Sequence, residues 1–312
     1  MRVVFMGTPV FAVPCLKALL KERLQVAGVV TQPDRPKGRG QKYIPSAVKE
    51  EAVLNGLDIY QPLNIKDSEF IRLMEELSPE VIVVVAFGRI LPKIILDLPL
   101  MGCINVHASL LPQYRGAAPI HRAIMNGEKI TGITTMLINE SLDSGDILLQ
   151  EAVPIHKEDT VGTLHDRLAS LGAQLLVKTL QLMETGDLIP VPQDHSKATY
   201  ARMISSEDEV LDWNAPATTI FNHVRGMDPW PGAKTSLDEK LLKIWRVEAV
   251  ENESSKEGTI PGQVVVSGPE GLVVQANHGL VDVKELQLQG GKRLPAVDFL
   301  RGRPVRTGTV LG

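Results

Sequence analysis

The feature that most constrains this chain is a rhythm in its first half. Short β-branched runs alternate with segments whose apolar residues recur at helical spacing. Val3 to Met6, Val26 to Thr31, Leu57 to Tyr60, Val81 to Ala86 and Cys103 to Val106 read as strands, and Val81 to Ala86 is apolar throughout, as a strand buried on both faces should be. Between them Val13, Leu16, Leu19 and Leu20 keep helical spacing with Pro14 in the first turn. Val48 to Asn55 reads as helix, and Asp67 and Ser68 can cap another that runs to Leu77. Strands separated by helices predict an α/β fold with a doubly wound, mostly parallel, Rossmann-like sheet. Ligands of such sheets sit beyond the carboxyl ends of the strands, which places the residues just after Ala86 and Val106 at the expected site. Thr131 to Ile138 and Ile147 to Val153 add a strand pair, and Thr160 caps a long helix to about Glu184.

The pattern then changes. Ile189-Pro190-Val191-Pro192 and the polar Gln193 to Thr199 look like a linker. After Trp213, short strands over Leu241 to Val250, Gly262 to Ser267, Gly271 to Ala276 and Gly279 to Leu286 are separated by turn residues, which predicts a smaller, all-β barrel of the oligonucleotide-binding type. The expected organisation is an α/β domain over 1–189, a linker over 190–206 and the barrel over 207–312.

Composition narrows the function classes. With 44% hydrophobic residues in 312 the chain can bury a core, and 33 Lys and Arg against 37 Asp and Glu exclude a protein that coats DNA through bulk charge. Two cysteines, Cys15 and Cys103, make neither a disulfide framework nor a four-ligand zinc site, so no metal is expected and a reducing, cytoplasmic compartment is. Gly7-Thr8-Pro9 interrupt the first apolar run too early for a secretory signal, and no stretch approaches the ~20 apolar residues of a membrane span. Neither Gly-x-Gly-x-x-Gly nor a P-loop is present, which disfavours dinucleotide or nucleoside triphosphate binding.

The most informative segment is Cys103 to Gly116. Asn105 and His107 are two apart at a strand end, so both side chains leave the same face of the sheet. An amide donor beside an imidazole is what a tetrahedral oxyanion needs, although a structural hydrogen-bonding pair would have the same spacing. Asp143 follows in a polar loop, Asn139 to Asp146, where a carboxylate could hold an imidazolium or accept a proton.

Taken together, Asn105-x-His107, Ser109-Leu110-Leu111-Pro112 with Gly116, and Leu142-Asp143-Ser144-Gly145-Asp146 resemble the folate-dependent formyltransferases. The resemblance implies that Asn105, His107 and Asp143 are catalytic. It further implies that Ser109, Leu110, Leu111 and Pro112, with Phe87, Gly88, Ile90 and Leu91, line the site of the donor, 10-formyltetrahydrofolate. Thr31 to Lys42 closely resembles the loop by which one branch of that family engages the acceptor end of initiator methionyl-tRNA. Its basic residues Arg35, Lys37, Arg39 and Lys42, with Gly38 and Gly40 for flexibility, suit a phosphate backbone. Lys292, Arg293, Arg301 and Arg303 belong to a second local basic patch, in the barrel, expected to contact tRNA phosphates. Trp213, Trp230 and Trp245 are expected in packing, and His121 beside the site.

The expected function is transfer of a formyl group to the α-amine of methionyl initiator tRNA by a monomer that uses no membrane and no DNA. Glycinamide ribonucleotide or an amino sugar as acceptor, hydrolysis of formylfolate, and an RNA-binding module without catalysis are the alternatives. Only the first two keep an amine acceptor, and both lack a use for the basic loop and barrel.

Overall fold

The computed structural model describes residues 1–37, 42–250 and 258–312. In chain order the elements are β1 (Arg2–Gly7), α1 (Val13–Lys21), β2 (Gln25–Val30), β3 (Arg35–Lys37), β4 (Lys42–Ile44), α2 (Ala47–Leu54), β5 (Ile59–Tyr60), α3 (Ser68–Leu77), β6 (Val81–Val85), α4 (Lys93–Leu96), β7 (Cys103–His107), α5 (Pro119–Met125), β8 (Ile130–Leu137) and β9 (Ile147–Pro154). They continue with α6 (Val161–Thr185), α7 (Ala217–Met227), β10 (Ala233–Leu237), β11 (Lys240–Val250), β12 (Val264–Gly268), β13 (Gly271–Gln275), β14 (Leu280–Leu288), β15 (Leu294–Pro295) and α8 (Ala296–Gly302).

The contacts divide the chain into two compact units. The first comprises Met1–Ala117, Ile130–Pro154 and His165–Ala201. Its seven-stranded sheet has the order β5-β2-β1-β6-β7-β8-β9, parallel from β5 to β7 and antiparallel across β7/β8 and β8/β9. β1 and β6 are the innermost parallel strands, and every residue of β6 is buried, which explains its unbroken apolar sequence. Successive strands add outward on either side of β1 and β6, so the topological switch point lies between their carboxyl ends. A cavity of 320 Å³ opens there, lined by Thr8, Gln32, Arg35, Ser46, Phe87 and Gly88 among others. Both cysteines are buried, and burial pushes each thiol up to about 12, so neither is a thiolate at neutral pH.

The second unit comprises Ala118–Lys129, Ile155–Leu164 and Arg202–Gly312. Its antiparallel sheet runs β10-β11-β14-β13-β12, with β15 pairing β14. Register shifts around Arg246 bend β11 against β14, as a small barrel-like sheet requires. The unit is not all-β, because α7 buries Ile220, Val224 and Met227 at spacings of four and three residues, and α8 buries Phe299 and Leu300 in the same core. Trp213 is buried there and Trp245 half-buried. Trp230 departs from the packing expectation: it is 66% exposed, held in a turn between Pro229 and Pro231.

Among the described residues no helix is long and apolar enough to cross a membrane, and no cluster of His, Cys, Asp or Glu could hold a metal.

Candidate active site

One strand end and two loops at one end of the first unit's sheet build the site. β7 ends with Asn105 and His107, the chain then runs through Ser109 to Gly116, and the turn after β8 carries Asp143. Pairing of Asn105 with Met136 and His107 with Thr134 fixes the β7/β8 register, so the two side chains emerge together.

Asp143 is the point of convergence. Its Oδ1 accepts from Asn105 Nδ2 at 3.4 Å, its Oδ2 accepts from the backbone N–H of Gly116 at 2.8 Å, and His107 Nδ1 lies 3.7 Å from the same oxygen. His107 is 6% exposed, and its Nε2 is 2.9 Å from the Tyr114 carbonyl. A carbonyl only accepts, so Nε2 carries a proton and Nδ1 is the nitrogen left to face Asp143. Asn105 is only half-buried and retains an N–H beyond the one spent on Asp143.

The loop backbones are under local strain. Ala86, Tyr114 and Asp143 all have left-handed φ, at 47°, 59° and 46°. Gly145 allows the Asp143 turn to close, since a Cβ there would overlap the Leu137 carbonyl.

The segment expected to line the folate site is stitched to the sheet. Thr134 Oγ1 donates to the Ser109 carbonyl and accepts from Leu111 N, Gln150 Nε2 donates to the Leu111 carbonyl, and Ser109 Oγ donates to the Gln113 carbonyl. Leu111 is buried, and Leu110 and Pro112 are half-buried. On the loop after β6, Phe87 and Leu91 are anchored in the apolar core, whereas Gly88 and Ile90 are exposed. Those two core side chains hold the loop in place while its backbone and Ile90 face outward.

The basic residues divide into two kinds. Lys49 bonds Asp34 at 2.6 Å and holds that carboxyl below the usual range, while among the described residues the Arg35 guanidinium donates to the neutral Gln32 Oε1, at 2.9 Å. Arg39, and the side chains of Lys37 and Lys42, lie outside the described residues. In the second unit Arg293 is paired with Glu285 and Asp228, Arg301 with Asp298 and Arg303 with Asp238, whereas Lys292 has no acidic partner among the described residues. His121 belongs to the second unit, where its Nε2 faces the Trp230 carbonyl.

Sequence reasoning missed the Tyr114 carbonyl and Gly116 N–H, because backbone groups leave no compositional mark. It also missed Gln193 and Arg115, which bond to each other behind the Asp143 turn.

Comparison with known proteins places the whole chain. Residues 1–180 match the formyl transferase family and residues 203–304 match the formyl transferase C-terminal domain. A methionyl-tRNA formyltransferase of Pelotomaculum thermopropionicum is 56% identical over 312 residues, covering 100% of this chain and 99% of that protein. Among solved structures, an N-formyltransferase from Helicobacter canadensis, in complex with folinic acid and dTDP-3-aminofucose, shares the fold at a TM-score of 0.64 and 19% identity, covering 94% of this chain and 99% of that one. HypX from Aquifex aeolicus in complex with tetrahydrofolic acid matches at 0.64 and 18% identity over 100% of this chain, which spans only 50% of HypX. With a paired Asn and His converging on an Asp at the carboxyl end of a Rossmann-like sheet, and a full-length relative at this identity, the chain belongs to the formyltransferase family, in its methionyl-tRNA formyltransferase branch.

Proposed function

We propose that the chain transfers a formyl group from 10-formyltetrahydrofolate to the α-amine of methionine esterified to initiator tRNA, giving N-formylmethionyl-tRNA for translation initiation. The observation that carries this reading is the convergence of Asn105 and His107 on Asp143, in a chain 56% identical from end to end to a methionyl-tRNA formyltransferase.

The chemistry follows from the three side chains. An α-amino group with a pKa near ~8 is substantially neutral at physiological pH and attacks the formyl carbon without prior activation. Negative charge develops on the formyl oxygen, where the remaining N–H of Asn105 and the protonated Nδ1 of His107 stabilise it; one such donor is worth about 3–4 kcal/mol. The new C–N bond leaves the acceptor nitrogen with one proton too many, which Asp143 takes. On collapse the bond to the folate nitrogen breaks and His107 returns a proton to it, so one proton leaves the acceptor and one reaches the leaving group. Tyr114, by holding Nε2, restricts this exchange to Nδ1. Ser109 to Pro112 and the Phe87–Leu91 loop line the donor side in this reading. The 320 Å³ cavity beside Arg35 lies where the sheet's switch point would receive the acceptor end.

For the tRNA, we assign phosphate contacts to Arg35, Lys37, Arg39 and Lys42 in the first unit and to Lys292, Arg293, Arg301 and Arg303 in the second. The test is a formylation assay with formylfolate and a panel of acceptors: charged initiator tRNA, free methionine, glycinamide ribonucleotide, an amino sugar nucleotide and water. Turnover confined to the charged tRNA is expected; efficient formylation of any small amine would overturn the reading.

A further inference from the structure

We infer that Arg115 and Gln193 form a buried relay that positions the Asp143 turn for catalysis. The inference rests on the role proposed above for Asp143. Gln193 lies in the stretch 190–206 that reads as a linker, yet it is only 6% exposed. Its carboxamide is fully used. Oε1 accepts from Arg115 Nε at 3.1 Å and Nη2 at 2.6 Å, and Nε2 donates to the carbonyls of Asp143 at 2.9 Å and Gly145 at 2.7 Å. A guanidinium only donates and carbonyls only accept, so chemistry alone orients this amide, with its oxygen toward Arg115 and its nitrogen toward the Asp143 turn.

Arg115 is the less expected half. It is 4% exposed, its side-chain partners are Gln193 and His195 Nδ1 at 3.0 Å, and among the described residues it has no ion pair with a carboxylate. Burying a guanidinium against neutral groups is an expensive way to fill a core, and an apolar residue would pack at lower cost. What the charge does achieve is polarisation of the Gln193 amide, which strengthens the two bonds to the turn.

The main chain around Arg115 grips the same carboxylate from the other side. Arg115 N donates to the Thr199 carbonyl at 2.9 Å, Ala201 N donates to the Arg115 carbonyl at 2.7 Å, and the next residue, Gly116, donates its N–H to Asp143 Oδ2 at 2.8 Å. Asp143 is thus held at its carbonyl through Gln193 and at its carboxylate through Gly116. Its left-handed backbone needs such double restraint to persist. Arg115 and Gln193 touch no reacting atom and are positioning residues.

Gln193→Met tests this, since it keeps length and apolar bulk and removes all four hydrogen bonds. With charged initiator tRNA, kcat should fall about 10- to 100-fold, the size of effect a misplaced catalytic group produces, while KM for both substrates stays within about threefold. The pH profile of kcat should change shape as well, because the proton exchange depends on how Asp143 is placed beside His107. Arg115→Lys keeps the charge but cannot fork, and should give the same signature at about 3- to 10-fold. It also serves if Gln193→Met does not fold. A kcat within twofold of the parent, or a loss of kcat with an unmoved pH profile, would overturn the relay. Asp143→Asn separates the two claims: if it lowers kcat about 100-fold or more while Gln193→Met stays within twofold of the parent, the relay alone fails, and if Asp143→Asn is itself active, the site reading fails.

Discussion

Two aspartates, one in each unit, show how differently the same side chain can be used. Asp143 has one short bond, from Gly116 N–H, and meets Asn105 and His107 only at 3.4 and 3.7 Å. Asp208 is saturated: Arg122 grips it with both nitrogens at 2.9 and 2.8 Å, Arg202 adds a bond at 2.9 Å, and Ser205 donates its N–H and hydroxyl at 2.9 and 3.0 Å. That bidentate guanidinium holds the Asp208 carboxyl well below the ordinary carboxylate range, whereas Asp143 keeps acceptor capacity facing its partners. The carboxylate proposed to exchange protons is left partly unsatisfied, and the one that holds a loop is not. The rule extends to the cations: Arg35 and Lys292 lack acidic partners among the described residues, while Arg293, Arg301 and Arg303 have them.

The comparison can be broken from either side. Asp143→Asn should lower kcat about 100- to 10,000-fold with little change in melting temperature, the range for loss of a positioned acid or base. An active variant would place Asp143 with the structural carboxylates. Asp208→Ala should do the reverse. It leaves the half-buried Arg122 without its counter-ion, which costs about 1–3 kcal/mol, less than for a fully buried pair, so chemical denaturation should show the loss while kcat of the folded fraction stays near the parent value. An unchanged denaturation midpoint would contradict the structural role.

Salt titration of tRNA binding sharpens the cation half. Arg35→Ala and Lys292→Ala should each flatten the slope of log affinity against log salt by about 0.7–0.9, one phosphate contact apiece. Arg301→Ala and Arg303→Ala should change it less, because each is already neutralised at 2.9 Å and must exchange a carboxylate for a phosphate. Equal slopes across the four would show that these pairs do not matter.

The smallest effect concerns His223, whose Nε2 donates to the Asp208 carbonyl at 2.7 Å and whose pKa burial pushes below the usual histidine value. In the pH window below about 6.5 the unfolded chain binds a proton that the folded chain does not, so stability should be full above that value and decline as the pH falls. Thermal unfolding at successive pH values, with and without His223→Gln, measures it; a variant with the parent's slope would assign the decline elsewhere.

Much of the fold was legible because its strands are nearly pure signals. Val81 to Val85 could be read from five apolar β-branched residues, and α6 from its cap at Thr160 and its length. α7 was harder to see, since its Ile220, Val224 and Met227 sit among polar residues and next to a segment rich in Pro and Gly. The second basic patch was legible as composition only. Counting charges does not reveal that Arg293 faces both Glu285 and Asp228 or that Arg303 faces Asp238, 65 positions away.

The sequence by itself determined which groups stand near one another along the chain: Asn105 and His107 at period-two spacing on a strand end, and Asp143 in a polar turn, are statements about residue type and local geometry. Only the tertiary structure decided how those groups are aimed. The Tyr114 carbonyl occupies Nε2 of His107 and leaves Nδ1 to face Asp143, the Gly116 N–H fixes one oxygen of Asp143, and Gln193 reaches back 50 residues to the turn that carries it. Local spacing is encoded by neighbours along the chain and can be read there. Orientation depends on hydrogen bonds between segments distant in sequence, made by backbone groups common to every residue, and it exists only once the chain has folded.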